Sequence, residues 1–191
     1  MTKKIKLRRI TAHESMDCVQ ALADVLVDCV EGGASVSFML PFPREKAVRF
    51  WQSVIEGVAR NERVLLVAED ENGRIVGTVQ LVMAQSENQP HRADIAKMLV
   101  RRDARRQGIA QCLMSEIEKI AQREGKTVLI LDTTTGSDAE RLYVRMGWKR
   151  VGNVRDYALM PDGKLSGATF YSKRLCDAGN GEFAVSNGDC E

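Results

Sequence analysis

The chain has 191 residues, 44% hydrophobic and 28% charged, the proportions of a globular protein rather than a disordered or fibrous one. At this length one domain can bury a full core without disulfides or a structural metal. The 28 basic and 26 acidic residues leave a formal charge of +2, too balanced for the protein-wide field of a nucleic-acid binder. The cleanest apolar runs, Val64 to Ala68 and Val128 to Leu131, fall far short of the ~20 residues that cross a bilayer, so no membrane partner is expected.

The chain opens on a short strand, Ile5 to Ile10. Thr11 and Glu14 then have capping-box spacing, and Met16, Val19, Ala23, Leu26 and Val30 recur at helical spacing up to Gly32-Gly33. An irregular apolar loop runs from Ala34 to Phe42. Pro43 suits a first helical position, and Ala47, Phe50, Trp51, Val54 and Val58 form the next stripe. Val64 to Glu69 and Arg74 to Ala84 read as strands joined by the hairpin signal Asn72-Gly73, whose residues both tolerate positive φ. Arg92 to Arg101 is a third strand. Helical spacing returns from Ile109 to Glu124 and stops at Gly125. Thr127 to Asp132 has the apolar run of a buried strand. Ser137 and Glu140 form a second capping box, opening a helix to Met146. Strands near Trp148–Ala158 and Ala168–Arg174 flank the turn Pro161-Asp162-Gly163. The order β-α-α-β-β-β-α-β-α-β-β predicts one mixed α/β domain over residues 1–175. Periodicity stops at Cys176, and 176–191 read as a mobile tail.

Five cysteines (Cys18, Cys29, Cys112, Cys176 and Cys190) make an odd count with no Cys-x-x-Cys spacing, which argues against both a disulfide framework and a zinc site. The first three fall in helical patterns and read as small core residues. The N-terminus has basic residues but no apolar segment of a secretory leader. A reduced, cytoplasmic protein is expected. The two histidines, His13 and His91, are far apart in sequence, so no metal is expected.

The most informative stretch runs from Met98 to Ala110. A strand ends, a loop with Arg101, Arg102, Arg105 and Arg106 turns, and a helix starts at Gly108. A helix N-terminus presents unpaired amides and the positive end of the helix dipole, which suit a phosphate. Gly108 and Ala110 leave room for close approach. On these residues alone a solvated basic loop before an ordinary helix fits as well. Neither the Walker nor the Gly-x-Gly-x-x-Gly dinucleotide pattern is present.

Arg105-x-x-Gly108-x-Ala110 resembles the Gln/Arg-x-x-Gly-x-Gly/Ala signature of the GCN5-related N-acetyltransferases (GNAT superfamily). Ala139-Glu140-Arg141-Leu142-Tyr143, ending in Gly147-Trp148, is similar to a second segment of that family. The two stand in the family's order. Gly32 to Met39, His91 to Val100 and Leu131 to Thr133 further resemble the tabtoxin-resistance-type acetyltransferases. The resemblance covers roughly Ile5 to Leu175 and implies a mostly antiparallel, mixed sheet flanked by helices. It also implies acetyl-CoA as co-substrate. Met98, Leu99 and Val100 would pair with pantetheine, and Arg105, Arg106, Gln107, Gly108, Ile109 and Ala110 would cradle the pyrophosphate. Tyr143 would protonate the departing thiolate. Family members often carry Asn seven positions before this Tyr; here Gly136 stands there, so the resemblance implies either that this cofactor contact is missing or that Ser137 supplies it.

The acceptor amine must be neutral to attack a thioester, so a carboxylate is needed nearby. Asp94, early in the strand leading to the loop, is the first candidate, and Asp132, at the end of a buried strand, is the second. Each also fits a structural role at a strand end. Ser35 and Phe38 are candidate lining for the acceptor pocket, and Trp51 reads as core. The leading expectation is N-acetylation of a small-molecule amine, an amino-acid-like toxin or antibiotic. The alternatives are a protein acceptor or a non-catalytic acyl-CoA sensor. No nucleic-acid partner is expected, and a monomer and a homodimer both fit.

Overall fold

The structure, a computed structural model, describes residues 5–11 and 15–175. It holds β1 (Lys6–Arg9), α1 (Ser15–Glu31), α2 (Arg44–Ala59), β2 (Arg63–Glu69), β3 (Ile75–Val82), β4 (Arg92–Val100), α3 (Ile109–Arg123), β5 (Val128–Thr134), α4 (Asp138–Arg145), β6 (Lys149–Leu159) and β7 (Leu165–Arg174). The element order is the expected one, with an added 3-10 turn at Arg102–Ala104. The first capping box and the segment 176–191 lie outside the described residues. Among the described residues no helix is long and apolar enough to cross a membrane.

One seven-stranded sheet runs β1-β2-β3-β4-β5-β7-β6. Every neighbouring pair is antiparallel except β4 and β5, as a helical crossover through α3 requires. Side chains alternate across the sheet, so successive residues of β2 feed two cores. Val64 and Leu66 join Ile109, Leu113, Met114 and Ile117 of α3. Leu65 and Val67 join Leu22, Leu26, Trp51 and Val54 of α1 and α2. With helices on both faces, the central strands are apolar without alternation, and β2 is buried from Val64 to Glu69.

Local chemistry sets the ends. In the β2–β3 turn only Gly73 takes a positive φ (+76°), while the Asp70 carboxylate accepts the N–H groups of Asn72 and Arg74, both at 3.0 Å. Past α3, Gly125 lies at φ +73° and Lys126 N–H closes on the Ala121 carbonyl at 2.9 Å.

Four local expectations need correction. Cys18 and Cys29 are buried, but Cys112 is exposed, because it falls on the solvent side of α3. Pro43 is the N-cap of α2, one residue ahead of the first helical position. Ser137 does cap α4, yet the capping box does not close. Its hydroxyl meets Thr133 Oγ1 at 3.3 Å, and Glu140 accepts the N–H of Gly136 instead, at 2.9 Å. Strand β7 starts at Leu165 rather than Ala168.

Candidate active site

β4 and β5 pair only over Arg92–Asp94 and Val128–Ile130. Beyond that the strands part, leaving the β4 edge from Ile95 onward without a strand neighbour on that side. A bulge adds to this. Thr78 faces Leu99 and Gln80 faces Ala96, so Lys97 and Met98 together oppose Val79. Lys97 is left at φ +49°. The opening is a cleft of about 940 Å³, whose walls include Met98, Leu99, Val100, Asp132 and Tyr143.

The loop after β4 is pinned from several sides. Arg101 N–H donates to the Val76 carbonyl at 2.9 Å. Arg102 donates its N–H (2.8 Å) and Nε (2.9 Å) to the two oxygens of Asp28 on α1. Burial pushes the Asp28 carboxyl up, but these donors outweigh it and hold the group below the usual carboxylate range. Arg106 (φ +63°) and Gly108 (φ +80°) both sit in the left-handed region and turn the chain into α3. The first bond of the helix runs from Cys112 N–H to Gly108 O at 3.0 Å, so the amides of Ile109, Ala110 and Gln111 have no partner inside the helix.

Arg105, Arg106, Gly108, Ile109 and Ala110 line the cleft as expected from the sequence. Gln107 does not; its side chain turns back toward the Asp103 carbonyl at 3.5 Å. Arg101 and Arg102 are committed to Asp103 and Asp28. Arg141 and Arg145 of α4, which the sequence reading missed, also line the cleft, Arg141 paired there with Asp138. Their four-residue spacing, one helical turn, is the signal that could have found them.

Tyr143 is buried between Trp148 and Tyr171, at ring-centroid distances of 6.0 and 5.8 Å. Burial, and next the charge of Asp132, push its phenol well above the ordinary value, so it stays protonated. Asp132 is exposed at the cleft wall. Asp94 is not on that wall. Its carboxylate is engaged by Arg92 and by Gln85 Nε2, the latter at 3.1 Å. Asp94 stands opposite Ile130 in the parallel pair, which puts Asp132 on the same sheet face, two residues further along.

Ser35 lines the cleft and its hydroxyl donates to the Leu159 carbonyl at 3.2 Å. Phe38 does not line it; it packs on Phe42 and Phe50 at 4.6 and 5.2 Å. Trp51 is fully buried. Two residues the sequence reading passed over, Ser37 and Lys97, also face the cleft. Among the described residues no cluster of three His, Cys, Asp or Glu side chains could hold a metal ion.

An amide-rich helix start under arginines, beside a strand edge with free backbone groups, suits a pyrophosphate with an amide-bearing arm. A carboxylate and a protonated phenol in the same cleft suit proton transfer.

The chain is 32% identical over 88 residues, 46% of its length, to the N-acetylaspartate synthetase of Danio rerio. It spans only 30% of that relative. Its fold is similar to the Salmonella typhimurium protein yncA, solved with its cofactor acetyl-CoA (TM-score 0.74, 17% identity, 96% of this chain and 98% of that one). It is also similar to the ribosomal-protein-alanine N-acetyltransferase of Brucella melitensis (TM-score 0.73, 24% identity, 89% and 99%). Residues 29–148 match the acetyltransferase (GNAT) family model. That match takes in both helix α3 with its loop and the Tyr143 helix, more than half of the sequence, and the chain belongs to the acetyltransferase (GNAT) family.

Proposed function

We propose that the protein is an acetyl-CoA-dependent N-acetyltransferase that acylates the amine of a small molecule, with an amino-acid-like toxin or antibiotic as the acceptor class. One observation carries the enzymatic reading. Asp132 and Tyr143 line the same cleft as the glycine-capped, arginine-flanked start of α3. A sensor that only binds acyl-CoA has no need of a carboxylate and a protonated phenol there.

The residues fit the co-substrate. The free amides of 109–111, with Arg105, Arg106, Arg141 and Arg145, suit the pyrophosphate. The open edge of β4 suits the amides of pantetheine. When bound, acetyl-CoA supplies the thioester whose carbonyl is attacked. Asp132 takes the proton of the incoming ammonium, directly or through water. The unpaired β4 amides are the donors available to charge developing on the carbonyl oxygen. Tyr143, held protonated, donates to the departing sulfur.

The preference for a small acceptor rests on the α1–α2 loop. Leu40 N–H donates to the Pro161 carbonyl at 3.0 Å, and Ser35 ties to Leu159. These bonds fasten the loop to the β6–β7 hairpin, which gives a small acceptor a fixed wall, where a protein acceptor needs an open groove. The closer resemblance to the tabtoxin-resistance-type enzymes supports the same choice.

Calorimetry with acetyl-CoA, followed by a panel of amines with detection of free thiol, tests the reading. Binding with thiol release for small amines is the expected result. Binding without release for any of them would leave the sensor or a protein acceptor, and no binding would overturn the cofactor assignment.

A further inference from the structure

Lys97 occupies an unusual place. It is the residue of the β4 bulge left in the left-handed region, at φ +49°, a conformation that a long L side chain adopts only when its surroundings impose it. Its ammonium donates to Ser37 Oγ at 3.3 Å and stands 5.6 Å from the centre of the Phe50 ring. Ser37 lies in the α1–α2 loop and Phe50 on α2, in the layer across the sheet from α3.

The charge around it is not balanced. Among the described residues no carboxylate comes within 4.0 Å of Lys97 or of Arg63. Arg63 donates Nη1 to Gln80 at 3.0 Å, while its Nε is buried without a partner. Burial pushes Lys97 below the ordinary lysine value; the charge of Asp132 works against this and that of Arg63 adds to it. Most other arginines of the described chain have a carboxylate partner. Here one half-buried cation faces the cleft beside a second cation, with Asp132 as the acidic group that acts on it.

We infer that Lys97 recognises a carboxylate carried by the acceptor, so that the substrate class is an amino acid or a close analogue. The inference rests on the small-amine reading above. Asp132 and Lys97 then form a dipole complementary to such a substrate. The amine turns to Asp132, near the reacting carbonyl, and the carboxylate turns to Lys97, Ser37 and the neighbouring charge of Arg63. The Phe50 ring behind the ammonium lowers the local dielectric and strengthens the ion pair. Lys97 touches the substrate without taking part in proton transfer, so it governs specificity.

The test compares the 20 common L-amino acids with their methyl esters in the thiol-release assay, for the wild type, Lys97→Met and Lys97→Arg. The expected wild-type result is a preference for at least one free acid over its ester of tenfold or more in kcat/KM. Lys97→Met should erase that ratio, mainly through KM, and Lys97→Arg should retain most of it. Acetyl-CoA affinity within twofold of wild type shows that the variants are folded. Esters turning over as fast as acids, or a ratio unchanged in Lys97→Met, would overturn the carboxylate role and leave the small-amine reading standing. Thiol release with other small amines but with no acid or ester would likewise overturn the carboxylate role alone, and no release with any small amine would sink both.

Discussion

Arg105 Nε donates to the carbonyl oxygen of Val100 at 3.2 Å. The residue that leads the turn into α3 is thus fastened to the last residue of β4. Between Arg105 and α3 the chain turns on Arg106 and Gly108 at positive φ. A Cβ on Gly108 would meet nothing within 4 Å, so the cost of replacing it is conformational, on the order of 1–2 kcal/mol for an L residue in this region. Gly108→Val should weaken acetyl-CoA binding at least tenfold in calorimetry while the far-ultraviolet spectrum is kept. Near-normal affinity would show that this loop does not hold the pyrophosphate.

Tyr143→Phe keeps the ring between Trp148 and Tyr171 and removes only the hydroxyl. Loss of a general acid typically costs 10²–10⁴-fold in rate, so kcat should fall by about that factor with acetyl-CoA affinity within twofold. Because the folded phenol titrates above its ordinary value of 10.0, wild-type kcat should show no loss of this acid as pH rises to 10. The linked stability has the same sign. It is fully present below the unfolded phenol's pKa and is lost as pH rises beyond it.

Asp132 and Asp94 are separable by mutation. Asp132 faces the cleft, whereas Asp94 is occupied by Arg92 and Gln85. Asp132→Asn should lower kcat/KM by about two orders of magnitude, the usual worth of a general base. Asp94→Asn should cost less than tenfold and act mainly on the Arg92 contact. The reverse ranking would return the base role to Asp94.

Asp28 gives a pH-dependent handle on the loop. Its folded carboxyl lies below the ordinary value of 3.8, so the stabilisation from Arg102 is present above that pH and is lost as pH falls through the lower, folded value. Asp28→Asn should loosen the loop at neutral pH, seen as several-fold weaker acetyl-CoA binding. Unchanged binding would mean that the other anchors of the loop suffice.

Glu118 on α3 accepts Trp148 Nε1 at 2.8 Å through one oxygen and Lys173 Nζ at 2.7 Å through the other. The pair with Lys173 is mostly shielded, at 21% and 13% side-chain exposure, so removing one partner strands the other. Glu118→Ala should cost about 3 kcal/mol, roughly 6–12 °C in Tm for a chain of this size, and Glu118→Gln less. A change under 1 °C would show that Lys173 finds full compensation in the Met146 carbonyl.

Local signals carried most of the fold. Asn72-Gly73, Gly108 and Gly125 each mark a turn whose backbone conformation needs a small or permissive residue, and all three turns form where the sequence puts them. The cleft-lining segment at the start of α3 was legible because a glycine-led helix start is written in contiguous residues. What failed was non-local. Whether Asp94 or Asp132 meets the cleft depends on where β4 and β5 stop pairing, which neither strand encodes alone. Lys97 escaped because strict alternation has no place for a bulge residue. Phe38 fits a pocket wall or an aromatic cluster equally well until Phe42 and Phe50 are seen beside it.

The short parallel contact between β4 and β5 also divides the sheet. On one side stand β1 to β4, on the other β5 to β7, each knitted by long antiparallel ladders, and three residue pairs stitch them together. A molecule lying in the widened part of that seam touches both blocks and replaces the missing stitches. Amide hydrogen exchange along 95–100 and 131–134 should therefore slow sharply on saturation with acetyl-CoA, while the ladders within each block change little. In this protein the opening lined by Asp132 and Tyr143 is also where the sheet is joined by its shortest ladder.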